Sequence, residues 1–327
     1  MKIRVQSTRL SIAVYTLLLL AVLSCVKDNE REKEISKIPI KVEIERFDRI
    51  LDDAQPSEFE NLKKNYAFWF PRENADSLIL NLKADTIQQE LFDEVKKEFL
   101  DTNDLQEGIE SLFQHIKYFD PQFKEPRVIT VTSRVDFRNK VIVTDSIVLI
   151  ALDTYLGSDH FFYEGISRYL VQNLKRDQIL PDLASAYAKK YIMPKNRKKL
   201  LDEMIYYGKQ LYFEDEVLPN VSDAAKIGYT EDQYLWAKAN EFQIWTYFIE
   251  KELLYNTDTS LPNRFINPAP FSKFYLQLDN ESPGMLGRYI GWQIVNAYME
   301  NNDVKLMDML IADPETIFKQ SNFKPEK

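Results

Sequence analysis

Along most of the chain the apolar positions recur at helical spacing, and one central stretch switches to alternation. Ile40, Val42, Ile44 and Phe47 stand among charged neighbours, the pattern of an edge strand or of a strand running into a helix. Ser57 and Glu60 are spaced as a capping box ahead of Leu62, Tyr66 and Trp69, with Pro71 as the stop. Asp85 with Gln88 opens a helix bearing Ile87, Leu91, Val95 and Phe99, and Asp104 with Glu107 opens another bearing Leu105, Ile109, Leu112 and Ile116. The alternating stretch lies between Pro126 and Leu156. Val128 to Phe137, a turn at Arg138-Asn139-Lys140, and Val141 to Leu152 predict a β-hairpin whose second strand is apolar enough to be central.

The remainder predicts helices over Gly165–Leu174, Pro181–Tyr191 with proline in its first turn, and Arg197–Phe213. A long helix is expected from a Thr230/Gln233 cap through Leu235, Phe242, Trp245 and Ile249. Leu286–Met299 places Gly287 and Gly291 one turn apart, which lets another backbone come close, and Asp303 is expected to cap a final helix. The fold class is therefore α+β, predominantly helical, with a small antiparallel or mixed sheet centred on Val141–Leu152.

The first residues follow a different logic. Lys2, Arg4 and Arg9 precede an apolar run from Leu10 to Leu23 that is shorter than the ~20 residues a spanning helix needs. Val22-Leu23-Ser24-Cys25 fits a bacterial lipobox, so residues 1–24 are expected to be a lipoprotein signal peptide and Cys25 the acylated residue. Residues 25–38 then make a lipidated, charged tether, and 39–327 a single domain. Losing Lys2, Arg4 and Arg9 takes the formal charge from −9 to −12, which argues against nucleic acid and leaves the acyl chains as the membrane contact. The expected location is the cell envelope, facing the periplasm from the outer or inner membrane. A lysine followed by acidic residues just after Cys25 partly matches a surface-sorting signal, which keeps the cell surface as the alternative.

Candidate chemistry is sparse. Cys25 is the only cysteine, so neither a disulfide nor a thiol nucleophile is expected. Of the two histidines, His115 lies beside an apolar helical stripe and is expected to be a satisfied histidine. His160 sits better, next to Asp159 and after Asp153, and a calcium set of Asp153, Asp159 and Glu164 would depart from EF-hand spacing. No HExxH, Gly-x-Ser-x-Gly, P-loop or dinucleotide glycine pattern is present, and no cofactor is expected. Asp202, Glu203 and Glu241 are candidate acid–base carboxylates, although such residues more often form solvated faces. The apolar run ending in Asp153, Tyr155, Asp159 and His160 is the foremost candidate binding site. Dense aromatics such as Phe161-Phe162-Tyr163 and Trp245-Thr246-Tyr247-Phe248 suit core packing, an interface or a glycan groove.

Together, the segments VIVTDSIVLIALDTYLGSDHFFY, DEMIYYGKQLYFEDEVLPN, IGYTEDQYLWAKANEFQIWTYFIEKELLY, NPAPFSKFY and PGMLGRYIGWQIVNAYM resemble the gliding-motility lipoprotein family GldB of the Bacteroidota. That resemblance implies a lipid-anchored accessory of the gliding apparatus, tied to type IX secretion, with other envelope proteins as partners and no established catalysis. The family is also similar to zincin-like predicted metalloproteases. Gly287-Arg288-Tyr289-Ile290-Gly291 matches their last helix and Tyr207-Gly208 their Glu-Gly, whereas the helix over Pro181–Tyr191, where HExxH belongs, has neither histidine nor glutamate. A zincin-like scaffold without its chemistry is implied. Tyr207, Glu241 and Tyr289 join the candidate binding residues, no catalytic or metal residue is assigned, and an envelope peptide or glycan hydrolase is the alternative function.

Overall fold

Two strands too apolar to show either face to water organise the middle of the chain. β1 (Ile44–Glu45), β2 (Arg127–Val131), β3 (Val141–Val143) and β4 (Ile147–Ala151) form one sheet in the order β1-β2-β4-β3. The structure is a computed structural model and describes residues 30–193, 197–276 and 279–327. β2 pairs parallel with both β1 and β4, while β3 runs antiparallel to β4. Val128, Val148 and Ile150 belong to a large core on one side, and Ile129, Val131 and Ala151 to a smaller core on the other. Burial on both faces is what near-continuous apolar parallel strands require.

The predicted fold class holds, and β4 is central as expected. The predicted hairpin between Val128–Phe137 and Val141–Leu152 is corrected. β2 stops at Val131, and Arg134 and Val135 then turn through left-handed backbone with φ of 58 and 59°. β4 takes β3 as its hairpin partner, and the Thr144 hydroxyl braces that turn by accepting from Ile147 N at 2.9 Å.

The smaller core is covered by α1 (Phe47–Asp53), α2 (Phe59–Asn65) and α3 (Ala75–Ala84), which supply Phe47, Leu51, Phe59, Leu62 and Ile79. α4 (Thr86–Glu98) reaches both cores, with Phe92 on one side and Val95 on the other. Asp85 caps it by accepting from Ile87 N and Gln88 N, as the spacing predicts. The Ser57/Glu60 box is replaced by Gln55/Glu58, because Pro56 begins a short 3-10 turn and moves the cap two residues earlier. α5 (Asn103–Phe119) carries Leu105, Ile109, Leu112 and Ile116 into the large core. Asp104 lies inside its first turn and pairs with Arg176 in place of capping it.

The second half is helical throughout: α6 (Arg168–Val171), α7 (Ile179–Tyr191), α8 (Leu200–Val217), α9 (Asp223–Ile227), α10 (Glu231–Ala239) and α11 (Glu241–Glu250). α12 (Leu261–Phe265), α13 (Leu286–Asn301), α14 (Leu306–Ile311) and α15 (Pro314–Ser321) complete it. The Thr230/Gln233 box forms, but the long helix it was expected to open breaks at Asn240, whose side chain donates back to Trp236 O. The last helix is capped by Asp313, not Asp303.

α8 and α13 cross at two glycines. A methyl group at Gly208 would fall on the Gly291 carbonyl, and one at Gly291 would fall on the Met204 carbonyl. Only hydrogen at both positions lets the two backbones touch.

Part of the segment expected to be a free tether is docked. Residues 30–35 are helical, Ile35 is buried, Arg31 pairs with Glu216 at 2.9 Å, and Glu32 meets His115 Nε2 at 3.1 Å. One apolar side chain and two charges with partners on the body suffice to hold it. His115 is thereby a satisfied histidine, buried and also bonded through Nδ1 to Ser111 O at 2.7 Å.

Gly291→Ala is expected to lower stability by about 3 kcal/mol, the upper end of overpacking costs. The urea midpoint of the variant against the parent measures it, and an unchanged midpoint would contradict the contact.

Candidate functional site

The residues singled out by sequence do not meet in one place. Asp153 follows β4 in a 3-10 turn, Leu152–Thr154, and points inward with no exposed surface. Its carboxylate accepts from Ser133 N at 2.9 and 3.0 Å, from Ser133 Oγ at 3.3 Å and from Val135 N at 2.7 Å. The left-handed pair Arg134-Val135 turns these amides onto one acceptor, a backbone cradle for an anion. Burial raises the Asp153 carboxyl above its usual range, and the amides oppose that rise. Asp153 holds the turn that ends β2, and a calcium set with exposed Asp159 does not form. Among the described residues no group of three His, Cys, Asp or Glu side chains comes together as a metal site.

Tyr155 is also fully buried, and its hydroxyl donates to Asp182 Oδ2 at 2.8 Å. Tyr163 bridges the same turn, donating to Asp153 O at 3.0 Å and accepting from Leu156 N at 2.8 Å. His160 faces the other way. Its ring stacks on Phe161 and Phe162, with centroids 4.6 and 5.5 Å apart. Nδ1 accepts from Phe162 N at 3.3 Å, which leaves Nε2 to donate to Glu94 at 3.2 Å. That bond, after the one from Lys97, holds the Glu94 carboxyl below the usual range. Asp159 and His160 line an open recess with Tyr163, Glu164 and Arg168.

Glu241 and Tyr289 form a separate buried pair. Tyr289 Oη donates to Glu241 Oε2 at 2.9 Å, and Glu326 N donates to Oε1 at 2.9 Å, so this carboxylate ties the C-terminal segment to α13. Burial raises the Glu241 carboxyl. Asp202 accepts from Lys198 N and Lys199 N at the start of α8, and Glu203 pairs with Arg197 at 3.3 Å.

A polar recess between side chains, which local spacing did not single out, runs along the α7–α8 seam to Arg288 at the start of α13, close enough for Lys189, Glu214 and Arg288 to feel one another's charge. On α7, Asp182, Ser185 and Lys189 share a solvent-accessible stripe, while Leu183, Ala184, Tyr187 and Ala188 are buried behind it. Asp182 is engaged by Tyr155 and by Lys140. Ser185 Oγ donates to Gln210 Oε1 at 3.4 Å. Gln210 and Glu214, one helical turn apart on α8, are buried, and Gln210 Nε2 and Glu214 Oε2 have no hydrogen-bond partner. Burial first, then the neighbouring Asp215 and Asp182 charges, push the Glu214 carboxyl well above the usual range. Arg288 donates through Nε to Ile266 O at 2.7 Å and stacks on Tyr207, with Cζ 3.9 Å from the ring centre. Lys189 is surface-accessible, but the protein around it and then the Arg288 charge lower its ammonium. Of the sequence candidates, Tyr207 borders this recess directly, Glu203 lies near enough to act on Arg288, and Tyr155 touches it through Asp182. The signal for the rest was a polar spacing of three and four residues, Asp182, Ser185 and Lys189 on α7 and Gln210 and Glu214 on α8.

Neither a curated protein nor a solved structure matches the chain significantly. The family model for gliding motility protein GldB matches residues 28–325. The chain belongs to that family. The match embraces both cores, the glycine crossing and the polar recess, so the family's role in gliding motility attaches to the whole described fold.

Glu214 gives the recess a pH signature. Below the ordinary value of 4.5 the carboxyl is protonated in folded and unfolded chains alike. Above it the unfolded chain releases a proton that the folded chain keeps, so this group's contribution to stability falls as pH rises towards the raised folded value. Glu214→Gln removes that dependence. The variant is expected to match the parent near pH 4 and to exceed it increasingly as pH rises towards the raised folded value, by up to about 1.4 kcal/mol for each pH unit crossed. Thermal melts of both proteins across that range measure the difference, and parallel curves would contradict it.

Proposed function

We propose that this GldB-family protein is a lipoprotein held to the cell envelope by acyl chains on Cys25, and that it supports gliding and type IX secretion through protein contacts without catalysis. The observation that carries the reading is the family match over residues 28–325. Three further features support it. Cys25 stands in a lipobox, and lies outside the described residues. Among the described residues no helix is long and apolar enough to cross a membrane, so an acyl anchor suits the membrane contact. On α7, where the metalloprotease-like resemblance puts HExxH, the single carboxylate is Asp182, and Tyr155 and Lys140 already occupy it.

The organisation proposed is a signal over residues 1–24, Cys25 with a short charged segment, and one domain beyond, facing the periplasm from either membrane. Its partners would be other envelope components of the gliding and secretion machinery, and its acidic surface is poorly suited to nucleic acid.

A deletion strain and a Cys25→Ala strain, scored side by side, test the reading. The deletion is expected to lose gliding and to impair secretion. Cys25→Ala should move the protein from the membrane pellet to the soluble fraction and reproduce most of the defect. Normal gliding and secretion in the deletion strain would overturn the proposal.

A further inference from the structure

The recess at α7, α8 and Arg288 contains more donors than the protein satisfies. Gln210 is 3% exposed, and because its amide oxygen accepts from Ser185, the amide lies at the seam between α7 and α8 with Nε2 unfilled. Glu214, 2% exposed, leaves Oε2 unfilled. Buried polar groups left without a partner cost about 1–3 kcal/mol each, and two on one seam call for an occupant.

The charges around that seam decide what kind. Asp182 is neutralised by Lys140 and Glu203 by Arg197. Lys189 and Arg288 form no ion pair with any described residue. The Arg288 guanidinium spends Nε on a backbone carbonyl and lays one face on Tyr207, which fixes its plane. A guanidinium held in plane is prearranged for a planar or tetrahedral oxygen anion. Burial raises the Glu214 carboxyl well above its usual range, which disfavours a competing negative charge beside the seam.

We propose that this recess binds a small oxyanion, a carboxylate or a phosphate group, which accepts from Lys189, Arg288 and the Gln210 amide. The accessible stripe of α7 gives the entry and the two buried side chains of α8 give the floor. The site is independent of the membrane anchor and of the protein contacts proposed for motility.

Calorimetric titration of the purified full-length chain with inorganic phosphate and, separately, with N-acetylglycine tests it. At least one probe is expected to bind saturably at one site. Phosphate alone identifies a phosphorylated ligand, N-acetylglycine alone identifies a carboxylate ligand, and both together identify a site that reads the oxyanion itself. Lys189→Met, on the accessible face, should melt like the parent and weaken binding by about tenfold or more, the loss of one charge-assisted hydrogen bond. Gln210→Met, close in volume, should weaken it as well. Absence of heat from both probes overturns the site, with water filling the seam instead. Binding that persists unchanged in folded Lys189→Met or Gln210→Met overturns it equally.

Discussion

The contact of α8 with α13 sets the position of nearly everything else in the helical half. Gly208 and Gly291 bring the two backbones together with no side chain between them. That closeness fixes the rotation of both helices about their axes. Tyr207 precedes one glycine and Arg288 lies three residues before the other, so the crossing delivers the guanidinium onto the tyrosine ring. Beside them on the same helices, Trp292 Nε1 donates to Asp215 Oδ2 at 2.6 Å, and Lys226 closes on the same carboxylate. A side chain at either glycine would separate the helices and displace both polar arrangements together.

The interior is polar where the helices meet and apolar where the sheet meets them. β2 and β4 bury Val128, Val148 and Ile150 on one face and Ile129, Val131 and Ala151 on the other, and Thr130 places its hydroxyl against Asp48. Asp48 in turn holds Arg46 at 3.0 and 2.7 Å, and Arg46 reaches Phe99 O at 2.8 Å. Charges carried that deep persist because each has a partner of opposite sign or a backbone acceptor. Gln210 and Glu214 depart from that rule, as do single atoms of Arg31, Glu32, Arg49 and Tyr187, and among the described residues only at the α8 seam do two such side chains lie one helical turn apart on one helix.

Much of this was legible in the residues. Helical spacing located α4, α5, α7 and α8, the alternation located β4, and of the expected Gly287/Gly291 pair Gly291 lies at the close crossing with Gly208 while Gly287 packs against Phe265 and Ile266. The errors have local causes. Val128–Phe137 carries strand-forming residues through to Phe137, but a β-branched residue at positive φ, Val135, is invisible to propensity and depends on Asp153, eighteen positions later, to hold it. The break at Asn240 was hidden by apolar periodicity that continues in phase on both sides. The candidate site fared worse for a related reason. Asp153, Tyr155, Asp159 and His160 are neighbours in sequence, yet a 3-10 turn sends the first two inward and the last two to the surface. The recess joins the consecutive helices α7 and α8 to α13, much later in the chain, and the polar spacing along the first two does not reveal that Arg288 joins them.

The docked residues 30–35 set a length scale for the protein at a membrane. Arg31 is clamped to Glu216 and Glu32 to His115, so the body begins six residues after Cys25. Fully extended, six residues span at most about 21 Å. Under the anchor proposed for Cys25, that reach is the greatest separation between the acyl chains and the docked helix. The same proposal places the face around Glu216 and His115, where Arg31 and Glu32 dock, nearest the lipid. Proteins meeting it would approach from the side or the opposite pole.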